Sequence, residues 1–245
     1  MKILVPISKV PDTTSKIAFT DNNSKFNTDN VQFIINPTDE WYALTKALEL
    51  KEAGKATEVV VINVGLAENE QIIRKALAIG ADSAIRVDLD PTDAFQVAAE
   101  IAANATGFDL VITGKETIDY NSFEVGGMIA EFMGCNAVAL VSKLDVEGSK
   151  ATATRDIEGG TETVEIGLPA VVCATKDLAA ARIPNMKGIM GARSKPLSVV
   201  AASTTEQVTK ITSYILPDKA KECKYVSADN VEELVRLLHE EAKVI

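Results

Sequence analysis

Along the first 133 residues, short β-branched runs alternate with amphipathic stretches, and no other feature of the chain limits its fold so sharply. The pattern predicts strands over 2–7, 58–64, 83–87 and 109–113, and helices over 38–53, 68–79, 91–105 and 123–133. A strand that passes through a helix into the next strand is a βαβ unit. The expected class is therefore α/β, with a mainly parallel, doubly wound, Rossmann-like sheet covered by helices on both faces. Helix boundaries carry their own signals. Pro37 with Thr38 and Pro91 with Thr92 stand before two helices, and Gly54, Gly80, Gly107 and Gly134 stand where four of them stop.

After Gly134 the rhythm changes. Strands are expected over 137–144, 150–155 and 161–166 around the polar turn Glu147-Gly148-Ser149, an antiparallel excursion that returns through a buried strand at 169–174. Beyond Leu178 regular structure is expected to thin into a Gly- and Met-containing loop (182–196), a Thr/Ser-rich strip (203–213) and a last helix (229–243). Two parts follow: an α/β nucleotide-binding domain over 1–189, and a C-terminal arm over 190–245. Val231, Leu234, Val235 and Leu238 recur at helical spacing and need a surface to cover them, either on another subunit or on the chain's own sheet.

Composition excludes several functions. With Lys+Arg 25 against Asp+Glu 35 the formal charge is −10, which repels nucleic acid and anionic membrane surfaces at long range. Cys135, Cys173 and Cys223 are far apart and form no CxxC, so neither a disulfide frame nor a metal site is expected. No run of eighteen apolar residues occurs, and the start, Met1-Lys-Ile-Leu-Val-Pro6, has no cleavage pattern. A soluble, unprocessed, cytoplasmic chain without membrane insertion is expected. The one histidine, His239, sits beside Glu240 and Glu241 on the last helix and reads as solvated. No Ser-His-Asp set, HExxH, P-loop or GxGxxG is present, so the chain is poorly equipped to be an enzyme alone.

What remains is a seat for an anion. From Leu110 an apolar strand runs into a loop containing Gly114, Asp119 and Asn121 that opens directly onto a helix, and such a junction aims backbone N–H groups and the helix dipole at a phosphate. Thr113, Ser122 and Val125 add a hydroxyl pair and a first-turn amide; the competing reading makes Asn121 or Ser122 a plain N-cap. Four loops at carboxyl ends of strands, over 6–10, 36–39, 64–66 and 114–125, are expected to line one crevice. Capping is the alternative role for Asn36 and Asp39. Trp41 and Tyr42 read as core and interface packing.

Seven segments then follow one another in a telling order: Lys9-Val-Pro-Asp12, Asn36-Pro-Thr-Asp-Glu-Trp41, Arg74-Lys-Ala-Leu-Ala-Ile-Gly-Ala-Asp82, Thr113-Gly-Lys-Glu-Thr-Ile-Asp119, Gly159-Gly-Thr-Glu162, Leu168-Pro-Ala-Val-Val172 and Ile189-Met190. By their order and spacing the chain resembles, over nearly its whole length, the beta subunit of electron transfer flavoprotein. The resemblance implies an electron carrier rather than a catalyst, in a heterodimer with an alpha subunit that holds most of the FAD. The beta chain would keep a buried, structural AMP. It implies AMP contacts at Pro6; at Asn36, Pro37, Thr38 and Asp39; at Val64; and along Gly114, Lys115, Glu116, Thr117, Ile118, Asp119, Tyr120, Asn121, Ser122, Phe123, Glu124 and Val125. Donors would be acyl-CoA-type or other flavin dehydrogenases, and the acceptor a quinone oxidoreductase or similar protein.

An electron-bifurcating branch resembles the same fold but carries a second FAD in place of AMP, with a loop reading Asp-Gly-Asp-Thr-Ala-Gln-Val-Gly-Pro. Here Tyr120 replaces a glycine and Gly127 the proline, and the bulk of Tyr120 restricts the room and backbone freedom a flavin needs. The stretch 182–190 looks like the family's recognition loop, with Met186 at the anchor position, Ile189 and Met190 beside it, and Lys187, Arg193 and Lys195 as local positive charge. Asp156 falls where the family carries an acid that contacts the alpha subunit's flavin domain. A free-standing ATP-using module is the reading from a third class; the first loop, Ile7-Ser-Lys-Val-Pro-Asp12, lacks the Ser-Gly-Gly run that would wrap a triphosphate.

Overall fold

Runs such as Glu58–Val64 and Ala170–Ala174, apolar at almost every position, have no side to turn toward water and must lie between two covering layers. In a computed structural model that describes residues 1–203, 206–218 and 223–245, they do. The chain forms β1 (Lys2–Pro6), β2 (Lys9–Pro11), β3 (Phe19–Thr20), β4 (Lys25–Phe26) and β5 (Phe33–Ile35). Then come α1 (Asp39–Glu52), β6 (Glu58–Val64), α2 (Glu70–Ile79), β7 (Ser83–Asp88), α3 (Ala94–Ala103), β8 (Leu110–Gly114) and α4 (Val125–Met133). The second half adds β9 (Asn136–Glu147), β10 (Lys150–Ile157), β11 (Gly160–Gly167), β12 (Ala170–Ala174), α5 (Met186–Ala192), β13 (Leu197–Ala201) and α6 (Val231–Arg236).

The main sheet has nine strands in the order β11-β10-β9-β12-β8-β1-β6-β7-β13. The seven from β9 to β13 are parallel to their neighbours, and β10 and β11 extend the sheet antiparallel, the excursion expected from the sequence. Alternation along each strand divides the core in two. Ile3, Val5, Ile112 and Val172 face a layer that includes Leu44 of α1 and Ile73 of α2; Leu4, Ile62, Val111 and Val171 face Ile101 of α3 and Ile129 of α4. Two small antiparallel pairs, β2 with β5 and β3 with β4, stand outside this sandwich.

Three expectations are corrected. The fourth helix starts at Val125 rather than at residue 123, because Asn121 and Phe123 take positive φ (51° and 55°) and hold the chain out of helical geometry. Part of the stretch beyond Leu178 is regular: α5 occupies the centre of the supposed loop, and β13 pairs in parallel with β7 at the sheet edge. α5 spans residues 189 and 190, and β13 is the last strand that the chain adds to the sheet. Two glycines in seven residues give α5 little intrinsic helicity, so its packing on α2 supplies what periodicity could not reveal. The last helix is α6 followed by a π-helical turn, Leu237–Ala242, and no residue of either is buried. Of the Thr/Ser strip, residues 204–205 lie outside the described residues.

Ile73 is wholly buried in the layer under α2. Ile73→Ala should cost about 2–5 kcal/mol, read as a lower denaturant midpoint at unchanged slope. A cost below about 1 kcal/mol would show that this face is not core.

Candidate functional site

From β1 the chain steps outward to β6 and β7, then crosses back to β8 on the other side of β1. Where strand order reverses, the connections leaving neighbouring strands diverge and open a crevice at their carboxyl ends. A cleft of about 470 Å³ lies there, between the ends of β1, β6 and β8 and the start of α4. That is within the range that holds a small ligand, about 300–1,000 Å³.

Its central feature is the β8–α4 connection. At Gly114 a Cβ would come within 2.8 Å of Glu40 Cγ and 2.9 Å of the Glu40 backbone nitrogen, so only glycine lets the strand end this close to α1. At Gly126 a Cβ would overlap Cys173 Sγ and approach Thr113 Oγ1 at 2.9 Å, so glycine also lets the first turn of α4 rest against β8 and β12. Glu124 stands at the N-cap, but among the described residues no side chain bonds to the first-turn N–H groups. Those amides and the positive end of the helix dipole are offered to the cleft, which Ser122, Phe123, Glu124 and Val125 line. Neither Asn121 nor Ser122 acts as the cap. Thr113 Oγ1 is buried at the same place without a hydrogen-bond acceptor or donor beyond the thiol of Cys173 beside it.

Asn36 holds this loop from below. Fully buried, its amide donates to Glu116 O (2.9 Å) and its Oδ1 accepts from the Ile118 N–H (3.2 Å). Lys115 and Glu116 pair at 2.8 Å, and the Asn121 side chain steadies Glu116. Burial pushes the Asp39 carboxyl up, against the pull of the Lys115 ammonium. Across the cleft, Asn63 donates to Ile7 O (2.8 Å) and accepts from Asn69 (3.0 Å), tying the β1 and β6 connections together. Lys9 pairs with Glu68 and lies 4.6 Å above the Phe33 ring.

Glu40, in the first turn of α1, is the group in the cleft lining most altered by its surroundings. Its carboxyl accepts from the Ser8 N–H (2.6 Å) and contacts Ser8 Oγ at 2.7 Å. Burial, only partly offset by those Ser8 donors, raises it to about 8, and Asp119 nearby adds to the rise. The outer wall comes from beyond β13. Asp93 caps α3 by accepting from Gln96 N (2.9 Å) and also accepts from the N–H groups of Val208 (2.8 Å) and Thr209 (2.9 Å). Thr209 and Ile211 then line the cleft. Farther on, the Tyr214 ring stacks on Phe19 (centroids 4.7 Å apart, planes 8° apart), and its hydroxyl lies 3.4 Å from that of Tyr120.

Of the residues expected at the site, Pro6, Val64, Gly114, Lys115, Glu116, Thr117, Asp119, Tyr120, Ser122, Phe123, Glu124 and Val125 line the cleft. Asn36, Pro37, Thr38, Asp39, Ile118 and Asn121 do not; the 36–39 loop supports the site from behind, and Glu40 is the residue it sends into the lining. Sequence reasoning missed Glu40, Asn63, Asp93, Thr209 and Ile211. An acidic residue in a first helical turn reads as dipole compensation, and nothing in the strip beyond 203 signals a return to the cleft. Met186, Lys187, Ile189 and Met190 gather on α5, with Met186 72% and Met190 71% exposed. Asp156 is exposed on β10, toward the opposite edge of the sheet. Trp41, read as packing, donates its indole N–H to Arg182 O at 2.7 Å. Among the described residues no cluster suits a metal ion, and no helix is long and apolar enough to cross a membrane.

Between its ordinary value near 4.5 and about 8, Glu40 keeps in the fold a proton that the unfolded chain has released. Stability should therefore fall as pH rises through that window and level off above it. Urea midpoints of the parent and of Glu40→Gln should diverge as pH rises, the parent losing ground; parallel curves would show that Glu40 is ionised in the fold at neutral pH.

Comparison with known proteins gives this architecture a family. A profile described as "Electron transfer flavoprotein domain" matches residues 24–205. The electron transfer flavoprotein subunit beta of Bradyrhizobium diazoefficiens is 36% identical over 250 residues, covering 100% of both chains. That of Syntrophomonas wolfei is 37% identical over 220 residues (89% of this chain, 86% of the relative), and that of Homo sapiens 32% identical over 253 residues (100% and 99%). With relatives so named matching from end to end, and a profile spanning most of the sheet, the chain belongs to the electron transfer flavoprotein family, among its beta subunits.

Proposed function

We propose that this chain is the beta subunit of a cytoplasmic heterodimeric electron carrier, holding a structural AMP in the cleft and presenting a docking surface to the dehydrogenases that feed electrons to it. The observation that carries the reading is the start of α4. It is a helix N-terminus without a side-chain cap, set by two glycine contacts at the carboxyl ends of parallel strands, beside a buried threonine hydroxyl whose neighbour is the Cys173 thiol. These features fit a phosphate. The amides of the α4 first turn and the loop from Gly114 to Val125 would hold it, with Pro6 and Val64 along the nucleoside. Asn36 and Asp39 would act through the loop they support. The acidic rest of the lining opposes an anion, so retention would depend on the backbone dipoles.

FAD, held mainly by an alpha subunit, would supply the redox chemistry. This chain's part is to bind and orient, which agrees with the lack of an acid–base set in its sequence. The apolar stripe of α6, with Val231, Leu234 and Val235 all exposed, supports an arm that lies on the alpha subunit. Asp156 would touch the flavin domain; an exposed contact of that kind is worth about 0–1 kcal/mol, weak enough for a domain that must swing. Electrons would pass from acyl-CoA-type or other flavin dehydrogenases to a quinone oxidoreductase or similar acceptor. The rival, a second FAD in the cleft, is disfavoured by Tyr120, a bulky side chain in the lining where that branch carries a glycine.

Nucleotides extracted from the copurified subunit pair should amount to one FAD and one AMP per heterodimer; two flavins would replace the AMP assignment with the bifurcating one. Gly126→Ala should cut retained AMP about tenfold or more, since the added Cβ must push α4 off the strands, while FAD content stays constant. Met186→Ala should raise the KM for a donor dehydrogenase and leave flavin content unchanged. Donor kinetics identical to the parent's would remove the anchor role.

A further inference from the structure

The segment Arg74-Lys-Ala-Leu-Ala-Ile-Gly-Ala-Asp82 carries part of the family resemblance, yet it touches no part of the cleft. Its arginine reaches elsewhere. Arg74 Nη1 donates to Ala192 O and to Lys195 O, both at 2.9 Å, while Nε and Nη2 donate to Glu70 Oε1 at 3.1 and 3.0 Å. One guanidinium thus joins α2 to the carboxyl end of α5 and the turn beyond it, a geometry that needs its planar fork of donors. In return, Lys195 Nζ donates to Leu77 O (2.9 Å) and Ala81 O (2.5 Å) at the end of α2. In the middle of α5 the two helices meet without a side chain between them, because a Cβ at Gly188 would overlap the carbonyl oxygen of Ala78.

The other end of the segment is fastened as well. Arg182 O accepts from the Trp41 indole, and the Arg182 guanidinium donates to both carboxylate oxygens of Glu52 at 2.6 and 2.8 Å. Between these clamps Ile183, Met186 and Met190 are 89%, 72% and 71% exposed. Flexible thioethers stand on a backbone that is tied down on both sides. A surface whose backbone is already in place gives up less entropy when a partner lands on it.

We propose that Arg74, with Lys195 and Gly188, positions the docking surface: α2 seats α5 so that Met186 and Met190 meet a donor flavoprotein already in place. The inference rests on the reading that donors dock through Met186. Arg74 is a positioning residue, since it acts through α5 and four of its five N–H donors go to Glu70 and the two carbonyls.

The test uses the purified heterodimer with its FAD and a flavin dehydrogenase that reduces the parent protein. Arg74→Ala and Gly188→Ala should each raise the KM for that donor about tenfold, with kcat within about twofold, and with FAD and AMP content unchanged. Lys75→Ala, the exposed neighbour of Arg74, should leave KM unaltered. The increase should persist at high salt, because a lost seat is not screened, whereas a lost charge contact with the donor would be. Unchanged KM in Gly188→Ala, or a rise in Arg74→Ala that vanishes at high salt, overturns the proposal. Gly188→Ala removes no charge and no hydrogen bond, so it decides the matter if Arg74→Ala does not fold. Should Met186→Ala lower donor affinity while both variants behave like the parent, the positioning role alone fails. Should Met186→Ala change nothing, the docking reading fails first.

Discussion

Burial of both faces of one parallel sheet is the constraint from which the rest of the molecule follows. Strands such as β1, β6, β8 and β12 have no polar side, so each crossover must lay a helix on one face or the other. Helices α1 and α2 cover one face, α3 and α4 the other. Going out from β1 to β7 and back to β8 divides these helices between the two faces, and it also parts the chain at the carboxyl ends of β1 and β8. The cleft is a by-product of the covering. The two glycines that shape it, Gly114 and Gly126, stand where helices approach the sheet too closely for any side chain.

Electrostatics give that cleft an unusual character for an anion site. Lys9 and Lys115 line it, but one is paired with Glu68 and the other with Glu116. Glu40, Asp90, Asp93, Asp119 and Glu124 are also in the lining. A negatively charged ligand would find its attraction in aligned backbone dipoles at the start of α4 rather than in free cations. Burial of Glu40 favours its neutral form, which takes one negative charge out of the lining. Backbone dipoles also carry no long-range pull, which suits a ligand meant to stay bound more than one captured in each cycle.

The exposed apolar groups follow the opposite rule. The backbone around the exposed apolar groups of α5 is held by hydrogen bonds to α1 and α2, whereas α6 buries none of its residues and leaves its apolar stripe exposed. In the proposed reading the first would be a surface prepared in advance for donors that come and go, and the second would lie on the alpha subunit. Rigid support for a transient contact and open apolar surface for an obligate one are what the costs of association favour in each case.

The sequence by itself determined the class of fold, because period and composition decide which faces a segment must bury, and the βαβ alternation, the antiparallel insertion and the cleft-forming 114–125 loop were all legible in it. Seven ordered segments carried the family as well. Tertiary structure alone decided what depends on distant residues meeting. Asn36, expected as a nucleotide contact or a cap, is a strut, because its partners lie some eighty positions away at Glu116 and Ile118. Glu40 gives no local sign of burial and is buried under Ser8. α5 and β13 carry little local signal and exist because α2 and β7 receive them. Local pattern reports the water a residue must avoid; which groups it meets instead is set only when the sheet closes its order.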